Sequence, residues 1–108
     1  MNSKILEVTE SEFKSKVLDA QQPVVVEFGA DWCRPCKALE PILIKLAGEW
    51  SDKAVLMQID IDQAPQLSQQ FMIMSVPTVM LFVNGKPVER LTGLQPAEKL
   101  RKKFNAHF

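Results

Sequence analysis

The two cysteines of this chain are separated by two residues, in the segment Trp32-Cys33-Arg34-Pro35-Cys36-Lys37. At this spacing two thiols lie on one turn of a helix, near enough to form a disulfide with each other. A framework of structural disulfides would need more cysteines, spread further along the chain. The pair therefore indicates a redox switch or half of a metal site.

The metal alternative is limited by the number of ligands. A structural zinc site takes four ligands, and beyond the cysteines the chain has a single histidine, His107, which we expect to be a frayed surface residue. Only a site shared between two chains would complete the set, so we expect no metal. A haem-attachment motif would need histidine after the second cysteine, where Lys37 stands. Cysteines that merely pack prefer apolar surroundings, unlike this segment with its charged residues.

Length and composition are typical of one globular domain, which we expect to span residues 1–108. The chain is 46% hydrophobic and 24% charged, which argues against a disordered protein. Its 13 basic residues balance its 13 acidic ones, so no net field would draw it to nucleic acid or to a membrane surface. Because no signal peptide or membrane-spanning run is seen, we expect a cytoplasmic protein, in which a disulfide is more often transient than structural.

The hydrophobic pattern predicts the elements that must position the cysteines. Residues 23–28 form a nearly continuous apolar run, typical of a central strand covered on both faces. After the cysteines, apolar residues from Leu39 to Trp50 recur at spacings of three and four, which predicts a helix. Pro41 should kink this helix without ending it. A strand that runs directly into a helix places Cys33 at the helix amino terminus.

The remaining strands and helices alternate along the chain. They are predicted at residues 54–60 (strand), 66–71 (helix), 78–83 (strand), 88–92 (strand) and from Pro96 onward (helix). A capping box of Thr9 and Glu12 predicts a further short helix near the start, and Asn84-Gly85 predicts the turn of a hairpin. This order predicts an α/β fold with a mixed sheet.

A helix amino terminus gives the two thiols different chemistry. Unpaired backbone N–H groups and the helix dipole stabilise negative charge there, so a thiolate is favoured at Cys33. The positive charge of Arg34 favours it further. Cys36, one turn deeper, is expected to be more buried and to stay protonated. Dithiol exchange needs this difference, because one thiol attacks a substrate disulfide and the other resolves the mixed disulfide.

These motifs make the chain similar to the thioredoxin family over nearly its whole length. The residues that carry the resemblance are Val24-Val25-Val26-Glu27-Phe28, Ala30-Asp31-Trp32-Cys33, Pro35-Cys36-Lys37, Pro41, Ile61-Asp62, Val76-Pro77-Thr78, Asn84-Gly85 and Gly93. A buried strand before the cysteine motif and a Val-Pro-Thr segment well after it make the signal specific. The resemblance implies a thioredoxin fold, which is an α/β fold with a central mixed β-sheet flanked by helices on both faces.

The resemblance also implies a function. Members of the family reduce protein disulfides through a redox-active disulfide, here Cys33–Cys36, and no other cofactor is expected. The implied partners are disulfide-containing protein substrates and an NADPH-dependent flavoprotein similar to thioredoxin reductase, and we expect a monomer. Cys33 takes the position of the attacking nucleophile, and Cys36 takes that of the resolving thiol.

Further site residues are implied around the pair. Substrate binding is assigned to the surface residues Trp32, Arg34, Pro35, Val76, Pro77 and Gly93. Pro77 matches the family's cis-proline, and a cis bond there would leave the backbone of Val76 to pair with an extended substrate segment.

Glu27 is a candidate catalytic residue on the predicted strand. It shares a strand face with Val25 and Gly29, although at a strand end its carboxylate could instead reach solvent. The family has an aspartate at this position, which favours a buried acid with a raised pKa behind Cys36. Such an acid could take the Cys36 proton, if need be through a water.

Other positions depart from the family's pattern. Gly29 replaces a tryptophan and opens space beside the site, and Gln58 replaces a lysine, so that the charge partner of the buried acid is missing. Arg34 replaces a glycine; a cation beside the thiolate stabilises the reduced form and makes the disulfide a stronger oxidant. Two alternatives to a reductase therefore stay open. One is a disulfide isomerase or oxidant whose potential Arg34 raises, and the other is a protein-binding module that does not cycle its thiols.

Overall fold

A five-stranded mixed sheet forms the centre of the molecule. The computed structural model describes residues 4–108. The strands are β1 (Leu6–Glu7), β2 (Val24–Gly29), β3 (Val55–Asp60), β4 (Thr78–Val83) and β5 (Lys86–Thr92). They lie in the order β1-β3-β2-β4-β5. The first three in that order are parallel, and the pairs β2–β4 and β4–β5 are antiparallel.

Helices cover both faces of this sheet, because successive side chains of a strand point to opposite sides. The helices are α1 (Arg34–Trp50), α2 (Pro65–Gln70) and α3 (Ala97–Asn105). On one face, Val25 of β2 packs with buried residues of α1 and α3, such as Leu43 and Phe104. On the other face, Val26 packs with a cluster that includes Leu67 of α2. The predicted α/β fold with helices on both faces is confirmed. Among the described helices, none is long and apolar enough to cross a membrane.

The short helix predicted before β2 is present as two irregular helical turns. The Thr9 N–H donates to a carboxylate oxygen of Glu12 (3.0 Å), so this half of the predicted capping interaction is present. It starts a 3₁₀ turn, Glu10–Glu12, followed by a π-helical turn, Lys14–Leu18, that closes with the Asp19 N–H on the Lys14 carbonyl (2.9 Å). The two-residue strand β1 was not predicted, because two residues leave no periodicity to recognise.

The predicted bounds of the other elements are correct to within two residues. The largest difference is β5, which begins at Lys86 rather than Val88 and therefore includes Pro87. Proline lacks the N–H that a central strand needs, but β5 is an edge strand, where proline is tolerated. Helix α1 continues past Pro41 to Trp50, as predicted.

Gly85→Ala should destabilise the fold. Gly85 lies in the β4–β5 turn with φ +78°, and a Cβ there would lie 2.8 Å from the backbone oxygen of Leu18. Because a left-handed conformation costs a residue with a side chain about 1–2 kcal/mol, we expect at least that loss in the free energy of unfolding, measured by urea denaturation. Gly48→Ala on α1 is the control, because a Cβ there would meet nothing within 4 Å. Equal stability of Gly85→Ala and wild type would contradict this packing.

Candidate active site

The cysteine pair lies where β2 leads into α1. Cys33 caps α1 with an extended backbone (φ −91°, ψ 107°). Its Sγ is bonded to that of Cys36, and the two Cα atoms are 5.3 Å apart, so the structure is of the oxidised state. The Cys36 N–H donates a hydrogen bond to Cys33 Sγ (3.1 Å). After reduction this N–H and the dipole of α1 favour a thiolate at Cys33.

The two cysteines are buried to a similar degree, so the prediction that Cys36 is the more buried one is wrong. Cys33 is 3% exposed and Cys36 is 5% exposed. Both belong to a small cluster with Ala30, and Ile61 and Val76 pack against it. The segments that contain Ile61 and Val76 therefore cover Cys33, at the start of the helix, as fully as Cys36 is covered one turn later. Burial does not distinguish the two thiols. The difference in their pKa values must come from the position of Cys33 at the helix cap and from Glu27, which lies near Cys36.

Glu27 is fully buried on β2, on the sheet face that α1 covers. Its register partner on β3 is Gln58, whose Nε2 donates to Glu27 Oε1 at 2.8 Å. Glu27 Oε2 and Gln58 Oε1 have no hydrogen-bond partner within the described part of the chain. Burial raises the pKa of Glu27, the Gln58 hydrogen bond lowers it, and the negative charge of Glu40 raises it.

These observations test two expectations about the acid. Glu27 does not reach solvent, so the alternative of an exposed strand glutamate is wrong. As predicted, residue 58 gives the acid no charged partner, and Gln58 supplies a hydrogen bond without a charge.

Glu27 and Cys36 both lie against the position that a side chain at residue 29 would occupy, so glycine there leaves no open space. A Cβ at Gly29 would lie 2.9 Å from Glu27 Oε2 and 3.3 Å from Cys36 Sγ. Since both atoms adjoin the same point, the carboxylate oxygen and the sulfur are no more than about 6 Å apart. Glu27 is thus within reach of the Cys36 proton through one water.

Trp32 lies exposed next to the pair and makes a contact that the sequence did not predict. Its side chain is 66% exposed, and its Nε1 donates to Asp62 Oδ2 at 2.8 Å. Asp62 lies in the 3₁₀ turn Ile61–Gln63, which directly follows β3, and its N–H donates to Asp60 Oδ1 (2.9 Å). Ile61-Asp62 was part of the family resemblance, but no spacing rule pairs residues 30 positions apart.

The other predicted site residues lie on segments beside the cysteines. The Val76–Pro77 peptide bond is cis, as the resemblance implied, and Val76 packs against the cysteine cluster. Gly93, with φ +88°, donates its N–H to the Pro77 carbonyl (2.7 Å), which ties these two segments together. Arg34 and Pro35 are exposed in the first turn of α1.

Metal ligands are not clustered in the part of the chain that the structure describes. Over residues 4–108, no group of three or more His, Cys, Asp or Glu residues could hold a metal ion. His107 is not frayed, contrary to the prediction, because its Nε2 and Glu89 Oε2 form a hydrogen bond of 2.9 Å. This bond and the nearby Lys103 hold the pKa of Glu89 low. The histidine therefore links the end of the chain to β5.

Comparison with known proteins confirms that the resemblance covers nearly the whole chain. The family model described as Thioredoxin matches residues 4–106. A thioredoxin of Staphylococcus epidermidis is 38% identical over 103 residues, which cover 95% of this chain and 97% of that protein. A thioredoxin of Staphylococcus aureus shows the same identity, 38%, over the same shares of the two chains.

Glu27→Gln should change how stability depends on pH. Because burial raises the pKa of Glu27, the folded protein holds this proton at pH values where the unfolded chain has lost it. The stability contributed by Glu27 is therefore complete below the unfolded pKa and is lost as pH rises through the folded pKa. We expect the substitution to remove this loss and to raise stability above wild type at neutral and alkaline pH. Urea denaturation at a series of pH values measures the effect.

Glu49→Gln is the matched control and should act in the opposite direction. The hydrogen bond from Arg101 (2.8 Å) holds the pKa of Glu49 low. Its stabilisation is thus present above the unfolded pKa and is lost as pH falls through the folded pKa. If the pH profiles of Glu27→Gln and wild type were the same, Glu27 could not be a buried group with a raised pKa.

Proposed function

This chain belongs to the thioredoxin family, and we propose that it reduces protein disulfides through Cys33 and Cys36. The observation that carries the proposal is the Cys33–Cys36 disulfide at the amino terminus of α1, with the Cys36 N–H on the Cys33 sulfur. When the pair is reduced, this position favours the thiolate, which is the nucleophile of disulfide exchange.

The first step is the attack of the Cys33 thiolate on a substrate disulfide. A bond forms between Cys33 Sγ and one substrate sulfur, and the substrate's own S–S bond breaks. The second substrate sulfur departs as a thiolate and takes a proton from solvent. The product is a mixed disulfide between Cys33 and the substrate.

The second step is resolution by Cys36. Its thiol gives a proton to Glu27, and its sulfur attacks Cys33 Sγ, so that the mixed disulfide breaks and the remaining substrate sulfur leaves as a thiolate. Two electrons have then passed from the cysteine pair to the substrate, and Cys33–Cys36 is oxidised. Glu27 suits the role of proton acceptor because its unpaired Oε2 lies on the Gly29 side, within about 6 Å of Cys36 Sγ. Its raised pKa also makes it a stronger base than an ordinary carboxylate.

Substrates dock on the surface around Cys33. We assign this surface to Trp32, Arg34, Pro35, Val76 and Gly93; Pro77, which was also expected on the surface, is buried next to Val76. The exposed ring of Trp32 offers an apolar contact, and the backbone of Val76 pairs with an extended substrate segment in the manner of an added strand.

The remaining parts of the proposal follow from family membership. Residues 1–108 act as one domain and as a monomer, with no cofactor besides the cysteine pair. An NADPH-dependent flavoprotein of the thioredoxin reductase type returns the pair to the dithiol state. The protein works in the cytoplasm, and neither nucleic acid nor a membrane is a partner.

Cys36→Ser should trap the substrate. With Cys33 intact and no resolving thiol, incubation with a disulfide-containing peptide should give a stable mixed disulfide, detected as an adduct by mass spectrometry and released by dithiothreitol. Cys33→Ser should form no adduct and should have no reductase activity. The alternative of a binding module makes the opposite prediction. Cys36→Ser would then form no adduct, and the double variant Cys33→Ser/Cys36→Ser would keep the full biological function of the protein in cells.

Arg34→Gly should lower the reduction potential slightly. Arg34 is exposed in the first turn of α1, where its charge favours the Cys33 thiolate but is screened by solvent. The expected change is therefore about 20 mV or less, measured by equilibration with a dithiothreitol buffer. Arg34→Lys keeps the charge and should stay close to wild type. A much larger drop, from a wild-type value in the range of disulfide isomerases, would favour the isomerase or oxidant alternative.

A further inference from the structure

The backbone gives no reason for a glycine at position 29. Gly29 is the last residue of β2, paired with Asp60 of β3, and it is not among the glycines with positive φ, which are Gly85 and Gly93. A glycine in a strand also lowers stability relative to alanine. The reason for a glycine must therefore lie in the atoms that surround residue 29, which a side chain would displace.

Those surroundings are the two groups that exchange a proton in the proposed reaction. A Cβ at Gly29 would lie 2.9 Å from Glu27 Oε2 and 3.4 Å from Glu27 Cδ, and 3.3 Å from Cys36 Sγ. Real side chains do not approach a Cβ as closely as 2.9 Å, so any residue with a side chain would force the carboxylate to move.

The carboxylate has little freedom to move without losing its hydrogen bond to Gln58. Oε1 is held by Gln58 Nε2 at 2.8 Å, whereas the buried Oε2 has no hydrogen-bond partner among the described residues and adjoins Gly29. Two further carboxylates lie on this side of the sheet, Glu40 of α1 and Asp60 at the end of β3. A Cβ at residue 29 would press on both Oε2 and Cys36 Sγ, so the carboxylate would leave the place it now holds beside the sulfur.

We infer that Gly29 is a positioning residue that keeps Glu27 Oε2 facing Cys36 Sγ, and that it is needed because residue 27 is glutamate rather than aspartate. An aspartate is one C–C bond shorter, which withdraws the carboxylate by about 1.5 Å and leaves room for a side chain at position 29. Glu27 and Gly29 are thus a matched pair. The inference rests on the proposed function, in which Glu27 accepts the Cys36 proton.

A double-mutant cycle over Glu27→Asp and Gly29→Ala tests this pairing. Reduced protein is mixed with an excess of an aromatic disulfide that releases a coloured thiolate, and stopped-flow absorbance follows two phases. The first phase, attack by Cys33, depends on reagent concentration, and the second phase, attack by Cys36, does not. Gly29→Ala should slow the second phase by about tenfold to 100-fold and leave the first unchanged. In the Glu27→Asp background, Gly29→Ala should change the rate constant of the second phase by about twofold or less.

The pH dependence of the second phase separates positioning from a general loss of structure. Gly29→Ala should shift or abolish the wild-type inflection that Glu27 causes, and Gly48→Ala should leave both the rate and the inflection unchanged. An equal slowing by Gly29→Ala in the wild-type and Glu27→Asp backgrounds would overturn the inference, because the cause would then be the contact with Cys36. No slowing by Gly29→Ala in the wild-type background would overturn it as well.

The proposed function can fail separately from this inference. Glu27→Gln should slow the second phase by about 100-fold. An unchanged rate would show that Glu27 is not the proton acceptor, and the proposed pairing of Glu27 with Gly29 would then fail as well. If Gly29→Ala alone does not fold, folding of the double variant supports the pairing. Failure of both to fold contradicts it.

Discussion

The site depends on a carboxyl group that the fold keeps out of water. Glu27 is fully buried, and a single hydrogen bond from the neutral amide of Gln58 offsets only part of the cost of charging it. Burial therefore raises the pKa of Glu27, so that the carboxylate binds a proton more readily than an ordinary glutamate does. A lysine in place of Gln58 would stabilise the negative charge, whereas an amide holds the acid in position and leaves its charge free to change. This freedom is what a proton acceptor beside a reacting thiol requires.

Three geometric constraints bring this acid to the cysteine pair. The register of β2 against β3 sets Gln58 opposite Glu27, and a slip of one residue would turn Glu27 to the other face of the sheet. The connection from β2 to α1 returns the chain over the same face, so that Cys36 adjoins Gly29. The helix end itself favours the thiolate at Cys33, with the Cys36 N–H already on its sulfur. Acid, resolving thiol and nucleophile are therefore neighbours in space, as the proposed reaction requires.

Sequence reasoning succeeded where a short-range rule applied and failed where the outcome depended on distant segments. The cysteine spacing, the hydrophobic periodicity and the Asn84-Gly85 turn are local signals, and they predicted the order of strands and helices from β2 to α3 and the position of Cys33. The equal burial of the cysteines depends on Ile61 and Val76, and the contact of Trp32 with Asp62 joins residues far apart in the chain, so neither could be predicted. The prediction that Gly29 opens space beside the site is wrong, because the Glu27 carboxylate and Cys36 Sγ already adjoin that point, which only the structure could show.

The most direct test of the central claim is the titration of the Glu27 carboxyl carbon by NMR, in the oxidised and in the reduced protein. A buried acid that faces Cys36 should titrate above the ordinary glutamate value of about 4.3. Its apparent pKa should also differ between the two redox states, because only the reduced protein has a titrating thiol beside it. An ordinary pKa that is the same in both states would contradict the role of Glu27 as the acceptor of the Cys36 proton.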